Sequence, residues 1–222
     1  MSEFNIIYQD DDLVFCVKPS GINSTDVEGG LPGLVREATH QKDVFTVHRL
    51  DQVVSGLMVL TFNKDAARNL SEQQQTNQFK KTYIAVVNGI PEKKKGKYID
   101  YLQRDRSERK TIVVSADTVP SQRAELDYLV VGEHNGKALV KIRLHTGRTH
   151  QIRSQFSSRS MPVLGDRKYS ELSWDFPIAL WSQEIELIHP VTQKHMIITK
   201  NPPKSVPWNW FSLEDNDRIL LL

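Results

Sequence analysis

The sequence predicts a single α+β domain built on a large mixed, mainly antiparallel β-sheet with flanking helices and loops. Short runs rich in β-branched and aromatic residues recur along the chain, and several alternate apolar with polar residues, as half-buried antiparallel strands do. Two segments show helical spacing instead, and the sequence has neither an internal repeat nor a low-complexity stretch. We therefore expect one domain over residues 1–222, with an acidic and apolar tail from about 212.

The predicted strands follow from the alternation within these runs. In 138–145, Lys141 and Arg143 fall on one face while Val140 and Ile142 fall on the other, which indicates one polar face and one core face. The complete set of strand-like runs is 5–9, 12–18, 57–62, 82–89, 98–102, 111–115, 125–133, 138–145, 178–188 and 195–200.

The two predicted helices begin at residues with capping side chains. Asn63 is a good N-cap for a helix over 64–75. Thr149 is the expected cap of a second helix over 150–158, and a helix start in this position presents unpaired backbone N–H groups.

Composition excludes several classes of protein. A hydrophobic content of 39% and a charged content of 25% are typical of a globular protein. No run approaches the roughly 18 apolar residues that a membrane helix needs, and the acidic N-terminus does not resemble a signal peptide. The single cysteine, Cys16, lies in an apolar run, so no internal disulfide can form and a buried thiol is expected. We therefore expect no membrane association and a reducing, cytoplasmic setting.

Basic residues are concentrated locally, although the net charge is only +2. They cluster in 78–81, 92–97, 104–110 and 141–153. Solvated loops explain such clusters in many proteins, and 91–97 is itself predicted to be an exposed loop. A polyanionic partner is the alternative hypothesis.

Three stretches contain residues that could take part in chemistry. Asp51 lies in HRLDQVVSGLMVL (48–60), just before a buried strand, where a lone carboxylate favours a structural role. Tyr83 alternates with its neighbours in a strand and, taken alone, favours packing. Arg148 lies in the turn of HTGRTHQIR (145–153), which could bind an anion or could be a charged surface turn.

Other kinds of site are weakly supported. His145 and His150 could suggest a metal site, but no third ligand follows at metal spacing, so we expect no metal. The sequence has no Ser-His-Asp elbow, P-loop or dinucleotide-binding glycine fingerprint.

In order and wording these stretches resemble the RluA-type RNA pseudouridine synthases, and the resemblance covers nearly the whole chain. It implies an isomerase that converts uridine to pseudouridine in ribosomal or transfer RNA, working without a cofactor in a central RNA-binding cleft, with a monomer as the default state. Each motif is weak alone, but their order and separation are specific. The matching segments are YQDDDLVFCVKPSGI (8–22), HRLDQVVSG (48–56), KKTYIAVVNG (80–89), TGRTHQIRSQFSSRSMPVLGDRKY (146–169) and IALWSQEIELIHPVTQK (178–194).

The resemblance implies a role for each matching residue. Asp51 matches the catalytic aspartate, Tyr83 the tyrosine that stacks on the target base, and Arg153 the arginine that pairs with the catalytic carboxylate. Arg49 matches the arginine that fills the gap left by a flipped-out nucleotide. The other residues expected to bind RNA or to shape the site are His48, Lys81, Arg148, His150 and Gln151.

These residue types suit a base-flipping isomerase. The reaction breaks the bond from ribose to the base nitrogen and re-forms it to carbon 5. Extruding the base costs roughly a few kcal/mol, and stacking on an aromatic ring such as that of Tyr83 recovers about 1–3 kcal/mol. An arginine beside Asp51 would oppose the rise in its pKa that burial causes. Attack of Asp51 on the sugar, attack on the base, and removal of a sugar proton to give a glycal all stay open.

Three positions depart from the family pattern. Val54 replaces a threonine, Gln155 replaces a histidine, and Trp181 lies where the family has L-H-A. These departures bear on substrate choice and RNA docking. We also expect the chain to lack the small N-terminal RNA-binding domain of many relatives, so that 91–110 would supply RNA contacts.

Two other function classes remain as alternatives. A non-catalytic RNA-binding or ribosome-assembly protein would need none of Asp51, Tyr83 and Arg153. A metal-dependent hydrolase built on His145 and His150 would need a further ligand.

Overall fold

A computed structural model of the chain describes residues 3–215 and 217–221. Among these residues it contains twelve β-strands, three α-helices and one short 3₁₀ helix. In chain order they are β1 (Asn5–Gln9), β2 (Leu13–Lys18), α1 (Leu31–Thr39), β3 (Phe45–Thr46), β4 (Ser55–Thr61), α2 (Lys64–Gln75), β5 (Lys80–Asn88), β6 (Lys95–Asp105), β7 (Lys110–Val114), β8 (Gln122–His134), β9 (Lys137–Leu144), α3 (Gln151–Ser157), β10 (Leu180–Ile188), β11 (His195–Thr199), the 3₁₀ helix (Trp208–Trp210) and β12 (Arg218–Leu221).

The chain divides into two compact units. The first contains the described residues of Met1–Lys81, Trp181–Pro203 and Glu214–Leu222, and the second contains Thr82–Leu180 and Lys204–Leu213. Strand pairing is mixed and mainly antiparallel, so the predicted α+β class is confirmed. A single domain over 1–222 stays a prediction.

In the first unit, the strand order is β1-β2-β4-β10-β11-β12, with β3 paired to β4. β2 and β4 are antiparallel, and β10 joins β4 in parallel. Every residue of β2 is buried, because this strand lies between two neighbours; residues 13–17 form an apolar run, and the charged Lys18 ends it. Burial raises the pKa of the Cys16 thiol to about 12, as expected for a structural cysteine.

In the second unit, the strand order is β5-β9-β8-β6-β7. The pairs from β9 through β7 are antiparallel, and a register shift lies between Val130 and Gly132 of β8. The expected alternation in β9 is confirmed, since Val140 and Ile142 are buried and Lys141 is exposed. Helix α3 packs on β6 and β7.

The helix predicted over 64–75 is confirmed with its cap, since Asn63 Oδ1 accepts a hydrogen bond of 2.8 Å from Ala66 N–H. Helix α3 begins one residue later than predicted, because its N-cap is His150 in the left-handed conformation (φ 55°). Helix α1 was not predicted. Its first turn contains Pro32 and Gly33, which suggest a loop, but proline is well tolerated at the start of a helix.

The basic stretch that was predicted to be a loop over 91–97 ends in a strand. β6 begins at Lys95, and Lys97 is opposite Asp127 of β8. Lys95 and Lys97 of this stretch therefore lie in a strand that pairs with β8 rather than in a free loop. No helix in the described part of the chain is long and apolar enough to cross a membrane.

The parallel contact between β4 and β10 depends on a glycine. Gly56 has φ +120°, and it lies opposite Ser182. A Cβ at this position would lie 2.4 Å from the Ser182 carbonyl oxygen and 2.5 Å from its nitrogen. Gly56 is therefore required both for the backbone conformation and for the close approach of β10.

We expect Gly56→Ala to destabilise the protein by about 3 kcal/mol or more, because the clash is with backbone that cannot move aside. Urea unfolding measures this. Gly33→Ala is the matched control, since no atom lies within 4 Å of its added Cβ, and alanine in α1 should be neutral or stabilise by roughly 0.5–1 kcal/mol. Equal midpoints for the two variants would contradict the prediction.

Candidate active site

Asp51 lies in a tight turn just before β4. Its backbone carbonyl accepts a hydrogen bond of 3.0 Å from the Val54 N–H, and its side chain is half-buried. Val54 is only 2% exposed. The bond that closes the turn is made by the backbone, so valine supplies it as well as the family's threonine does.

Lys18 holds this turn to the end of β2. Its Nζ donates to the carbonyl oxygens of Pro19 (2.7 Å), Ile22 (2.8 Å) and Gln52 (3.1 Å). The residue is fully buried. Burial lowers the pKa of Lys18 to about 8, and the nearby carboxylate of Asp51 works in the opposite direction. A buried ammonium group thus ties the KPSG turn to the loop that carries Asp51.

Further bonds join the same two segments. Ser20 Oγ donates to the Val53 carbonyl (2.8 Å), and the Gly21 N–H donates to the Gln52 carbonyl (2.8 Å). Ser24 Oγ donates to the Leu50 carbonyl (2.8 Å) and accepts from the Leu50 N–H (3.0 Å). Residues on both sides of Asp51 are therefore fixed by the segment that follows β2.

His48 is buried behind this loop. Its Nε2 accepts from the Val59 N–H at 3.1 Å, so the ring proton lies on Nδ1. Burial lowers the pKa of His48 well below its usual range, and the positive charge of Lys81 lowers it further. The ring is therefore neutral. Its Nδ1 has no hydrogen-bond partner among the described residues.

Lys81 and Arg49 differ in exposure. Burial lowers the pKa of Lys81 to about 8, and its Nζ lies 5.7 Å from the centre of the Phe79 ring. Arg49 is exposed. Of the predicted site residues, the first unit contains His48, Arg49, Asp51 and Lys81. Lys81 lies near His48, and Lys18 lies near Asp51.

In the second unit, Arg153 is held in a buried ion pair with Asp166. Its Nε donates to Oδ2 (2.7 Å) and its Nη2 donates to Oδ1 (2.8 Å) of that carboxylate. Side-chain exposure is only 5% for Arg153 and 1% for Asp166. Two parallel bonds fix the plane of the guanidinium group, which a lysine could not reproduce. The predicted pairing of Arg153 with Asp51 stays a prediction.

Tyr169 completes the support of Arg153. The guanidinium carbon lies 5.1 Å from the centre of the Tyr169 ring, within cation–π range. The Tyr169 hydroxyl donates to the Thr111 carbonyl (3.1 Å) and accepts from the Thr111 N–H (2.7 Å). His150 Nδ1 lies 2.8 Å from the same hydroxyl and therefore carries the proton that it donates. Burial raises the pKa of Tyr169, so this hydroxyl keeps its proton.

Gln151 fastens the TGR turn to β8. Its Oε1 accepts from Thr146 Oγ1 (2.8 Å) and the Arg148 N–H (3.0 Å), and its Nε2 donates to the Glu125 carbonyl (3.0 Å). Arg148 is exposed, and its Nε donates to the Arg123 carbonyl (3.1 Å). These contacts position Arg148 at the surface and Gln151 in the interior.

Tyr83 lies in the buried part of β5 and is only 5% exposed. It belongs to the second unit, as do Arg148, His150, Gln151 and Arg153. The predicted site residues are therefore divided between the two units.

The two remaining departures from the family pattern have partners of their own. Gln155 is fully buried, and its Nε2 donates to Asp100 Oδ2 at 2.6 Å. Asp100 also accepts from Arg159 Nη1 at 3.0 Å. Trp181 donates from Nε1 to the Lys200 carbonyl at 2.7 Å. Each substituted side chain thus makes one hydrogen bond inside the fold, while the buried Oε1 of Gln155 has no partner among the described residues.

The histidines considered as metal ligands have other partners. His145 Nε2 lies 2.6 Å from Asp127 Oδ2, and His150 contacts Tyr169. Asp10, Asp12 and His189 lie close together. However, His189 Nδ1 accepts from two backbone N–H groups and its Nε2 donates to Asp10, which accounts for both ring nitrogens.

The chain belongs to the RNA pseudouridylate synthase family, which it matches over residues 12–158. An uncharacterized RNA pseudouridine synthase of Aquifex aeolicus is 31% identical over 235 residues, covering 96% of this chain and 73% of the relative. The dual-specificity RNA pseudouridine synthase RluA of Haemophilus influenzae is 32% identical, covering 86% and 90%. The solved structure of human RNA pseudouridylate synthase domain containing 4 superposes with a TM-score of 0.74 at 25% identity, covering 90% and 88%. The resemblance seen in the motifs is thereby confirmed.

Three supporting residues were not predicted from the sequence. Lys18 lies in the KPSG turn, and Asp166 and Tyr169 lie in GDRKY, so both segments were recognised as motifs without a role for these side chains. A lysine at the end of an apolar strand was a usable signal, because a buried lysine must find several acceptors.

We expect Lys18→Met to destabilise the protein by about 2–3 kcal/mol at pH 7, because three carbonyl groups lose a charged donor. Lys93→Met, at an exposed lysine, is the matched control in urea unfolding.

The same variant should change the pH dependence of stability. The pKa of Lys18 is about 8 in the folded protein and near 10.4 in an unfolded chain, so the unfolded chain binds more protons between these values. Stability from this group therefore rises with pH across that window, by at most about 1.4 kcal/mol per pH unit. Lys18→Met should lose this increment while Lys93→Met keeps it. Parallel pH profiles for wild type and Lys18→Met would contradict the shifted pKa.

Proposed function

We propose that this protein is an RNA pseudouridine synthase that converts a uridine in ribosomal or transfer RNA to pseudouridine. The observation that carries the proposal is an aspartate in the HRLD motif, held in a tight turn by a buried lysine, in a chain that belongs to this family. Relatives named for transfer RNA and for the large ribosomal subunit, each 27% identical, support the choice of substrate classes.

The proposed reaction begins when the target uridine leaves the RNA stack. Tyr83 stacks on the flipped base, and Arg49, which is exposed, fills the space that the nucleotide vacates. The bond from C1′ to N1 then breaks, the uracil turns, and a bond from C1′ to C5 forms. The C5 proton is lost and N1 gains one, so the product is an isomer and no external cofactor is needed.

Asp51 is the proposed catalytic group, and it must be ionised in a closed site. The Asp51 carboxylate lies near enough to the Lys18 ammonium group to oppose the lowering of the Lys18 pKa that burial causes. Arg153 is proposed to pair with Asp51 as in the family, and its bidentate bonds to Asp166 support this by fixing the direction of its guanidinium group.

The other site residues have proposed supporting roles. Lys81, Arg148 and His150 contribute to RNA binding, while His48 and Gln151 shape the loops that carry Asp51 and Arg148. The protein is proposed to act in the cytoplasm as a monomer without a bound metal. The buried thiol of Cys16 is consistent with a reducing compartment.

We expect Asp51→Asn to abolish tritium release from RNA labelled at carbon 5 of uracil, because the amide can neither act as a nucleophile nor take a proton. Asp11→Asn, at an exposed aspartate in the same unit, is the control and should release tritium at the wild-type rate. Wild-type turnover by Asp51→Asn, with an unchanged unfolding midpoint, would refute the proposed role.

We expect Arg153→Lys to lower kcat by about 100-fold or more with little effect on RNA affinity, because lysine keeps the charge but not the bidentate geometry. Single-turnover kinetics and filter binding measure the two quantities. Unfolding must be followed in parallel, since Asp166 loses one of the two bonds that it accepts from Arg153. Equal losses in rate and affinity would instead make Arg153 a phosphate contact.

A non-catalytic role in RNA binding or ribosome assembly is the second candidate, favoured only by the clustered basic residues. A rescue experiment separates the two. If inactive Asp51→Asn restored every phenotype of a deletion strain, binding would be the main function. Pseudouridine mapping across ribosomal and transfer RNA of that strain would identify the modified uridine.

A further inference from the structure

The second unit contains a groove of about 610 Å³ that has no part in the reaction described above. Its walls are β7, the face of α3 that carries Ser154, Ser157 and Ser158, and the loop at 167–171. Three cations line it, Lys110, Arg167 and Lys168, against a single anion, Glu171. The groove therefore has a positive charge excess on a chain whose net charge is only +2.

The walls of this groove are joined by hydrogen bonds. The Tyr169 hydroxyl bridges the N–H and carbonyl groups of Thr111, and Ser157 Oγ donates to the Tyr169 carbonyl at 3.0 Å. Lys168 Nζ donates to the Arg109 carbonyl at 3.1 Å, which links the loop to the β6–β7 hairpin. Because the loop, helix and hairpin are fastened to one another, the groove is formed before any ligand binds.

One polar atom in the lining is unsatisfied. Thr111 is only 4% exposed, and its Oγ1 has no hydrogen-bond partner among the described residues. A buried hydroxyl without a partner costs roughly 1–3 kcal/mol. A ligand oxygen that entered the groove far enough to reach this hydroxyl would supply the missing bond.

The groove also connects two functional regions. At one end the β6–β7 hairpin adds the exposed cations Arg106 and Arg109. At the other, the ring of Tyr169 packs against Arg153 and its hydroxyl bonds His150. A chain of anions bound along the groove would therefore run from the hairpin towards the TGRTHQIR motif.

We propose that this groove binds the phosphate backbone of the substrate RNA beside the target nucleotide. The inference rests on the proposed function for the identity of the polyanion. Arginine and lysine are the usual phosphate ligands, and Arg167 offers a planar fork that can bond two phosphate oxygens. The serine hydroxyls of α3 already donate within the helix or to the loop, so the groove recognises charge and leaves sequence recognition to other surfaces.

The double variant Lys110→Ala/Arg167→Ala tests the proposal. Both residues line the groove, and neither bonds the wall that Lys168 and Tyr169 hold together. Filter binding to an unmodified tRNA transcript and to a 20-nucleotide oligouridylate should show affinity weakened by about 5–50-fold. The slope of log affinity against log salt should fall by about 1.4–1.8, the value for two lost phosphate contacts.

The control is Lys64→Ala/Arg68→Ala on α2, which removes the same two charge types from exposed positions of the other unit. Its affinity and salt slope should stay close to those of wild type. An equal loss in both double variants would overturn the proposal, because the effect would then come from net charge. Unchanged RNA affinity and an unchanged salt slope in Lys110→Ala/Arg167→Ala would overturn the proposal directly. A protein partner would then be the remaining candidate ligand of the groove.

Thr111→Val tests the hydroxyl separately, since it keeps the shape and removes the donor. We expect affinity to fall about 3–10-fold with no change in salt slope, because a neutral hydrogen bond releases no counterion. Wild-type affinity in this variant, with an unchanged unfolding midpoint, would exclude the hydroxyl from binding.

Binding measured in an Asp51→Asn background distinguishes failure of this inference from failure of the proposed function. If wild type forms no pseudouridine but the groove variant still loses RNA affinity, only the proposed reaction fails. If wild type is active and Lys110→Ala/Arg167→Ala keeps both its KM and its affinity, only the groove assignment fails. If the proposed reaction and the groove assignment are both correct, Lys110→Ala/Arg167→Ala should raise KM and leave kcat at saturating RNA unchanged.

Discussion

The candidate site depends on one buried cation. Lys18 Nζ is held by the carbonyl groups of Pro19, Ile22 and Gln52, and so joins the end of β2 to the turn that carries Asp51. A buried ammonium group is costly unless acceptors surround it, and here they come from the adjoining turn and from Gln52, which is 34 residues from Lys18. The requirement to satisfy this charge fixes where the Asp51 turn can lie.

The same physical rule governs the second unit. Arg153 is buried with Asp166, and the two parallel bonds of that pair leave the guanidinium group one orientation. Tyr169 then covers the pair and extends the contact to Thr111 and His150. The positions of the two predicted catalytic charges, Asp51 and Arg153, are therefore fixed by Lys18 and Asp166, which have no proposed role in the chemistry. Such partners keep a charged group in place while RNA enters and leaves.

The three departures from the family pattern, Val54, Gln155 and Trp181, leave the bonds that hold the site residues in place. Val54 closes the Asp51 turn through its N–H, so the loss of a side-chain hydroxyl leaves the turn intact. Gln155 Nε2 bonds Asp100, although its buried Oε1 has no partner among the described residues, and Trp181 bonds the Lys200 carbonyl. None of these three residues bonds Lys18 or Asp166, and we infer that they adjust the surroundings of the reaction rather than the reaction itself.

By itself the sequence determined the α+β class, the strand alternation in β9, the Asn63 cap and the family, because these follow from local periodicity and ordered motifs. The sequence did not predict α1, since Pro32 and Gly33 suggest a loop. The helix forms because Leu31 and Val35 are buried in tertiary packing, which outweighs the local preference of these residues. Only the tertiary structure showed that Lys18 holds the Asp51 turn and that Asp166 holds Arg153. The Lys18–Gln52 bond spans 34 residues and the Arg153–Asp166 pair spans 13, and the partner of a buried charge depends on which segments pack together.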